Sequence, residues 1–198
     1  AANGVDPTQP RAELEVPDAD VLVRVLDSWA EQRKEARVLL VLDISGSMGE
    51  PVTDDQTRLD LAQQAAVSAL DQFKDTDEVG LWVFSTDQLG SPDPNYRELV
   101  PVAPIGQQRD ELAQQIMAQF PTNGTPLYDV TGKSYQSMLD GYDPTKINAV
   151  VFLTDGAIHN ELELLDTISG MRGRSRVFMV GIGSAPNSFL MTRAAEIG

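Results

Sequence analysis

Predominantly apolar stretches alternate along the chain with segments in which apolar residues recur every three or four positions. Residues 37–42, 79–85 and 147–156 form the apolar stretches, which predict β-strands covered on both faces. This pattern is typical of parallel strands in α/β proteins, because helices lie on both sides of the sheet. The periodic segments between them predict amphipathic helices. These predicted helices span residues 58–74, 107–120, 127–139, 161–171 and 188–197.

The alternation of strands and helices predicts an α/β fold with a doubly wound, mostly parallel sheet and helices on both faces, a Rossmann-like arrangement. Residues 97–105 predict a strand at the edge of the sheet, because Pro101 and Pro104 cannot donate hydrogen bonds to a ladder. We expect the sheet to have one antiparallel edge strand. Residues 176–183 predict a further strand. Thr57 is the expected N-cap of the predicted helix 58–74. Four aromatic residues within the strands are predicted to lie in the core: Trp82, Phe84, Phe152 and Phe178.

Three segments divide the chain. Residues 1–17 are small and polar and predict a flexible lead-in. Residues 18–36 predict an amphipathic helix that precedes the domain, since its apolar residues recur at helical spacing. Residues 37–198 then predict one domain, consistent with a chain of 198 residues of which 41% are hydrophobic.

Charge and composition narrow the function. The chain carries 15 basic and 30 acidic residues, a net charge of −15, which disfavours binding to nucleic acid or to an anionic bilayer. It contains no cysteine, so a thiol nucleophile and a cysteine-based metal site are excluded. No apolar run approaches the roughly 18 residues that a membrane-spanning helix needs, so we expect no direct membrane insertion. The first residues show no signal-peptide pattern, and an exported parent protein would have lost its signal.

Oxygen-bearing side chains follow the apolar strands. Asp43, Ser45 and Ser47 come directly after strand 37–42, and a carboxylate with two hydroxyls suits Mg²⁺, Mn²⁺ or Ca²⁺ better than Zn²⁺ or Cu²⁺. Asp155 ends the strand at 147–156. If these two strands are neighbours at a reversal of strand order, a crevice opens between their carboxyl ends and the two aspartates face each other across it. A divalent cation would relieve their repulsion.

Three loops together resemble the metal-ion-dependent adhesion site of von Willebrand factor A domains. The family pattern is Asp-x-Ser-x-Ser, a threonine in a second loop, and an aspartate in a third loop, commonly within Thr-Asp-Gly. The matching loops are residues 43–47, 123–126 and 154–156. The positions of the pattern are filled by Asp43, Ser45, Ser47, Thr125 and Asp155.

The resemblance implies a bound Mg²⁺, with Mn²⁺ or Ca²⁺ as alternatives. It also implies that the two serines and the threonine bind the metal directly, while the aspartates act partly through water. A coordination position then stays open for an Asp or Glu carboxylate of a partner protein. The implied function is therefore metal-dependent protein binding of the adhesion type, without catalysis.

Two finer resemblances concern the location of the protein. Residues 18–156 are similar to A domains that follow solute-binding-like domains in bacterial envelope proteins. The end of the chain, residues 150–157 and 176–198, is more similar to the A domain of inter-alpha-trypsin-inhibitor heavy chains and their bacterial relatives. Both imply an extracellular or bacterial cell-envelope location, while a cytoplasmic one stays open. The family pattern also continues into a last edge strand and helix, which we expect to lie beyond Gly198.

Three alternatives use the same residues differently. An intracellular assembly subunit similar to the A domain of magnesium chelatase needs the metal site but no export, and an upstream signal sequence would separate the two. A metal-dependent hydrolase is disfavoured, because Ser45 and Ser47 have no base partner in the sequence and the single histidine, His159, is expected to be a bystander. A fold retained for packing alone would leave the five positions without a function.

Overall fold

The computed structural model describes residues 33–88, 91–156, 161–170, 173 and 175–183, together with residues 20, 21, 24, 192, 193 and 196. The chain divides into two compact units, Ala1–Arg33 and Lys34–Gly198. The predicted lead-in and the predicted helix 188–197 lie outside the described residues, apart from isolated helical positions. The same holds for the predicted helix 18–36, of which residues 20, 21 and 24 are helical.

A five-stranded sheet forms the centre of the second unit. The described residues form the strands β1 Ala36–Asp43, β2 Pro51–Thr53, β3 Gln56–Thr57, β4 Glu78–Phe84, β5 Tyr96–Pro104, β6 Ile147–Thr154 and β7 Arg176–Gly181. The strands of the central sheet have the order β5-β4-β1-β6-β7, and all neighbouring pairs are parallel except β4 and β5. This confirms the predicted mostly parallel sheet with one antiparallel edge strand.

Helices cover both faces of the sheet. Along β1, Val38, Leu40 and Leu42 belong to one apolar cluster, and the alternate residues Leu39 and Val41 belong to the other. The described helices are α1 Arg58–Leu70, α2 Arg109–Met117, α3 Leu127–Asp140 and α4 Glu161–Gly170. The first cluster includes apolar residues of α1 and α2, and the second includes those of α3 and α4. Strand β1 is therefore buried on both faces, as its uninterrupted apolar sequence predicts.

The ends of several elements differ from the prediction. Helix α1 ends at Leu70, four residues early, and the Lys74 backbone N–H donates instead to the Asp77 carboxylate at 2.8 Å. Side chains that bond to nearby backbone in this way compete with the helix. Residues 51–57, expected to be a loop, form the short antiparallel pair β2 and β3. None of the helices that the structure describes is long and apolar enough to cross a membrane.

The order of the strands reverses at β1. The chain passes from β1 to β4 on one side, and it returns later to place β6 on the other side of β1. At such a reversal the connections leave in opposite directions and open a crevice at the carboxyl ends of the strands. The predicted neighbours, the strand before Asp43 and the strand before Asp155, therefore flank that crevice.

Candidate metal centre

Asp43 is the last residue of β1 and is fully buried. Its Oδ1 accepts a hydrogen bond from the Ser45 backbone N–H at 2.8 Å. Its Oδ2 accepts one from the Thr154 hydroxyl at 2.5 Å, across the β1–β6 pair. A carboxylate at this depth is stable only when such partners replace water. The two bonds fix the side chain at the carboxyl end of the sheet.

Burial raises the pKa of the Asp43 carboxyl to about 6. This value is a balance: the hydrogen bonds from Ser45 and Thr154 lower the pKa, and the negative charge of Asp155 adds to the effect of burial. A carboxylate that is both buried and close to a second carboxylate is costly to ionise. The site is therefore one at which a cation would lower the free energy of the charged form.

Ser45 and Ser47 lie on a short turn that directly follows β1. The turn is a 3-10 helix, Gly46–Gly49, in which the Met48 backbone N–H donates to the Ser45 carbonyl at 3.0 Å. Met48 is fully buried and anchors the turn to the core. The hydroxyls of Ser45 and Ser47 are 3.3 Å apart, so the turn brings them within hydrogen-bonding distance of each other.

The loop that carries Thr125 is bonded to this turn through its backbone. The Thr122 N–H donates to the Ile44 carbonyl at 2.7 Å, and the Gly46 N–H donates to the Asn123 carbonyl at 2.8 Å. A Cβ at Gly46 would lie 3.2 Å from that Asn123 oxygen, so the close approach of the two loops leaves little room for a side chain there. Thr125 itself is half-buried, two residues beyond this contact.

Asp155 lies in the first position after β6, and 4% of its surface is exposed. Gly156 has a φ of 68°, a left-handed conformation that turns the chain directly after the aspartate. Its backbone N–H donates to the Thr154 hydroxyl at 3.0 Å, the same hydroxyl that bonds Asp43. Thr154 thus joins the loops of the two aspartates.

An arginine also reaches this centre. Arg58, the first residue of α1, places its Nη1 2.7 Å from Asp155 Oδ2 and 3.4 Å from the Ser47 carbonyl oxygen. Its Nη2 is 2.7 Å from a carboxylate oxygen of Glu50. Neither Arg58 nor Thr154 was among the predicted site residues. Thr154 stands in the Thr-Asp-Gly triplet, which could have indicated it, whereas Arg58 carries no such signal.

The structure therefore gathers the three loops with the predicted residues at one edge of the sheet. Asp43, Ser45 and Ser47 are linked by direct contacts, the charge of Asp155 acts on Asp43, and the Thr125 loop is bonded through its backbone. Among the described residues, no group of three or more histidine, cysteine, aspartate or glutamate side chains could hold a metal ion. Any cation here would thus depend on hydroxyl ligands as much as on carboxylates. His159 lies outside the described residues.

The sequence and the fold place the chain in a known family. Residues 38–158 match the family model of the von Willebrand factor type A domain, and the chain belongs to that family. The mostly parallel sheet, the strand reversal at β1 and the helices on both faces are the Rossmann-like fold of these domains.

The individual proteins that this chain is similar to have low sequence identity to it. The human protein mono-ADP-ribosyltransferase PARP4 is 29% identical over 182 residues, which are 92% of this chain but 9% of that protein. An aerotolerance-related membrane protein from Bacteroides fragilis has a TM-score of 0.62 at 18% identity, covering 82% of this chain and 88% of its own. The manganese-loaded TRAP protein of Plasmodium vivax has a TM-score of 0.59 at 17% identity, covering 83% of this chain and 64% of its own. At these identities the two structures share the fold.

Proposed function

We propose that this domain binds a partner protein through a divalent cation and has no catalytic function of its own. The cation is Mg²⁺, or Mn²⁺ or Ca²⁺ in its place. The proposed ligands are the five side chains of the three loops: Asp43, Ser45, Ser47, Thr125 and Asp155.

The observation that carries this proposal is the contact between the loops. Two buried carboxylates and two hydroxyls 3.3 Å apart lie at the end of β1 and in the loops that follow β1 and β6, and the loop of Thr125 is hydrogen-bonded to the turn that carries the hydroxyls. All five side chains offer hard oxygen atoms, the donor set that Mg²⁺ and Mn²⁺ prefer. The manganese-loaded TRAP protein has the same fold, which supports a divalent cation as the ligand.

The mixture of hydroxyls and carboxylates also suggests what the site would bind. A cation held largely by neutral hydroxyls keeps most of its positive charge, and it then attracts an anionic oxygen from outside the domain. An Asp or Glu of a partner protein supplies that oxygen. The residues of this chain would hold the cation and leave one coordination position open. The proposed role of the site is therefore to bind a partner, without a chemical reaction.

We also propose that the protein works in the extracellular space or the cell envelope. The Bacteroides fragilis protein with this fold is a membrane protein, which supports the envelope. The acidic surface expected from a net charge of −15 makes nucleic acid an unsuitable partner. The ADP-ribosyltransferase activity named for the human relative stays with that protein, because this chain spans only 9% of its length.

Thermal melting tests the cation site. We expect a higher Tm in excess Mg²⁺ or Mn²⁺ than in chelator, because a ligand that binds only the folded protein stabilises it by mass action, about 2.7 kcal/mol at 100 times Kd. Asp43→Ala should remove this shift while the protein still folds. Asp54→Ala, at an exposed aspartate of the β2–β3 turn, is the matched control and should keep it. Equal Tm values for the wild type in chelator and in both metals would contradict the proposal.

Affinity capture tests the partner. Wild-type domain should retain a specific protein from native extract in Mg²⁺ and release it in chelator. Asp43→Ala used as bait should retain none of it in either buffer. Retention that is the same for both baits would show that binding does not use the metal.

A further inference from the structure

Arg58 occupies the border between the buried centre and the surface. Its guanidinium joins Asp155, whose side chain is 3% exposed, to Glu50, whose side chain is 59% exposed. Arg58 itself is 24% exposed at its side chain. It is therefore a fixed positive charge in direct contact with one of the proposed metal ligands.

Several contacts hold the arginine in this position. Its backbone N–H donates to the Glu50 carbonyl at 3.0 Å, and the preceding residue, Thr57, caps α1. On the other side, a Cβ at Gly183 would lie 3.2 Å from Arg58 Nε, so the chain after β7 passes close against the side chain. Gly183 has a φ of +101°, a conformation that favours glycine. Arg58, at the start of α1, is thus held by contacts with the residue after β6, with Glu50 and with the chain after β7.

The energetics of this pair depend on the cation. A buried carboxylate without a compensating charge is strongly destabilising. In the metal-free protein, Arg58 supplies a positive charge to Asp155 at 2.7 Å. When a divalent cation is bound in the crevice, it supplies positive charge to the same carboxylate, and the two cations repel each other. Arg58 therefore stabilises the metal-free state more than the metal-bound state.

We propose that Arg58 is a positioning residue that acts as the internal counter-ion of Asp155 and sets the metal affinity of the site. This inference rests on the proposed cation-binding function. Arg58 stabilises the metal-free domain and, by the same charge, weakens the binding of the divalent cation. The domain would then take up its cation, and become able to bind a partner, only where the cation concentration is high.

Arg58→Gln tests this inference with Mn²⁺ as the probe. In chelator the variant should melt about 5 °C below the wild type, because the buried Asp155 loses a charged partner. In calorimetric titrations the Kd for Mn²⁺ should fall about tenfold, the effect of removing one charge close to a doubly charged ion. Arg58→Lys keeps the charge and should return the Kd to near the wild-type value. A residue with a purely structural role would lower the Tm without tightening metal binding.

Arg37→Gln is the matched control. Arg37 forms an ion pair with Glu78 at the start of β1, six residues before Asp43 and thus about 20 Å from it along the strand. This variant should lose stability and keep the wild-type Kd for Mn²⁺.

Two results would be distinguishable. If the wild type binds Mn²⁺ and Arg58→Gln binds it equally or more weakly, the inference is wrong while the proposed function stands. If the wild type binds no Mn²⁺, the proposed function is wrong and the inference falls with it.

Should Arg58→Gln not fold, NMR of the arginine side chains in the wild type replaces it: the Arg58 Nε–H signal should move on addition of Mg²⁺ and the Arg37 signal should not. An Arg58 signal that stays in place while Mg²⁺ binds would overturn the inference.

Discussion

Asp43 combines two properties that rarely coexist in one stable side chain: it is fully buried, and its neighbours include a second buried carboxylate. The hydrogen bonds from Ser45 and Thr154 offset only part of the cost, since the pKa of Asp43 remains raised to about 6. In the metal-free protein its ionised form therefore opposes folding at neutral pH. The proposed cation would offset this cost.

This raised pKa predicts an unusual pH dependence in chelator. The folded protein binds the Asp43 proton more tightly than the unfolded chain does, so stability from this group is highest below pH 4 and is lost as pH rises to about 6. The loss amounts to about 3 kcal/mol for a shift of this size. Asp43→Asn, which keeps the shape and cannot ionise, should gain stability relative to the wild type over that range. Urea denaturation of both proteins from pH 4 to pH 7 measures the difference, and a difference that does not change with pH would contradict the assigned burial.

Local spacing explains why part of the site could be predicted. Asp43, Ser45 and Ser47 are close in sequence and directly follow an apolar strand, so their meeting needs only a turn. Arg58 and Asp155 are 97 residues apart, and Thr154 and Asp43 are 111 apart. An arginine at the start of an amphipathic helix usually faces solvent, and only the folded chain shows that this one contacts a buried carboxylate.

Helix α1 determines where Arg58 lies, and its start depends on a capping box. The Thr57 hydroxyl accepts a hydrogen bond from the Asp60 backbone N–H, and the Asp60 carboxylate accepts one from the Thr57 N–H at 2.7 Å. The bond from the Thr57 N–H, together with one that the Thr57 hydroxyl donates to the same carboxylate at 2.7 Å, lowers the pKa of the Asp60 carboxyl. The predicted N-cap at Thr57 is thereby confirmed.

Thr57→Ala should lower the free energy of unfolding by about 1 kcal/mol, the usual cost of losing an N-cap. Chemical denaturation measures the change. Ser68→Ala, at an exposed position inside the same helix, is the matched control and should be neutral or slightly stabilising because alanine favours helices. Equal stability of Thr57→Ala and Ser68→Ala would contradict the role of the cap.

The order of strands and helices could be predicted because each apolar stretch and each periodic segment is long. The burial of single residues was less predictable. Trp82, Phe84 and Phe152 are buried as expected, but the prediction for Phe178 was wrong, since 47% of its surface is exposed. Phe178 lies on β7, the outer strand of the described sheet, where covering is incomplete. An apolar sequence alone does not distinguish such a strand from a central one.

At the scale of the whole molecule, the topology of the sheet brings the loops of the candidate site together. Strand order β5-β4-β1-β6-β7 places the carboxyl ends of β1 and β6 side by side and lets the loop after α2 reach them from β4's side. The sequence alone could not predict this order, since nothing in two apolar strands shows that they are neighbours. The predicted crevice therefore depended on the assumption that β1 and β6 pair. Long-range pairing decides it, and the register from Ala36 with Ile147 to Leu42 with Leu153 confirms the predicted neighbours.

The net charge of −15 acts at the same scale. Such a charge repels anionic partners over several ångströms at physiological salt, so a partner carboxylate needs a strong local attraction to approach. A divalent cation in the crevice would provide that attraction at one point of an acidic protein. The cation would then decide both whether and where a partner binds.

Diffraction from Mn²⁺-soaked crystals, recorded at a wavelength where manganese scatters anomalously, tests the cation site most directly. We predict one anomalous peak at the carboxyl ends of β1 and β6, within coordination distance of the hydroxyls of Ser45, Ser47 and Thr125. Asp43→Ala crystals soaked in the same way should lack that peak. An empty crevice in the wild type at saturating Mn²⁺, or a peak bound elsewhere on the protein alone, would contradict a cation site built from these loops.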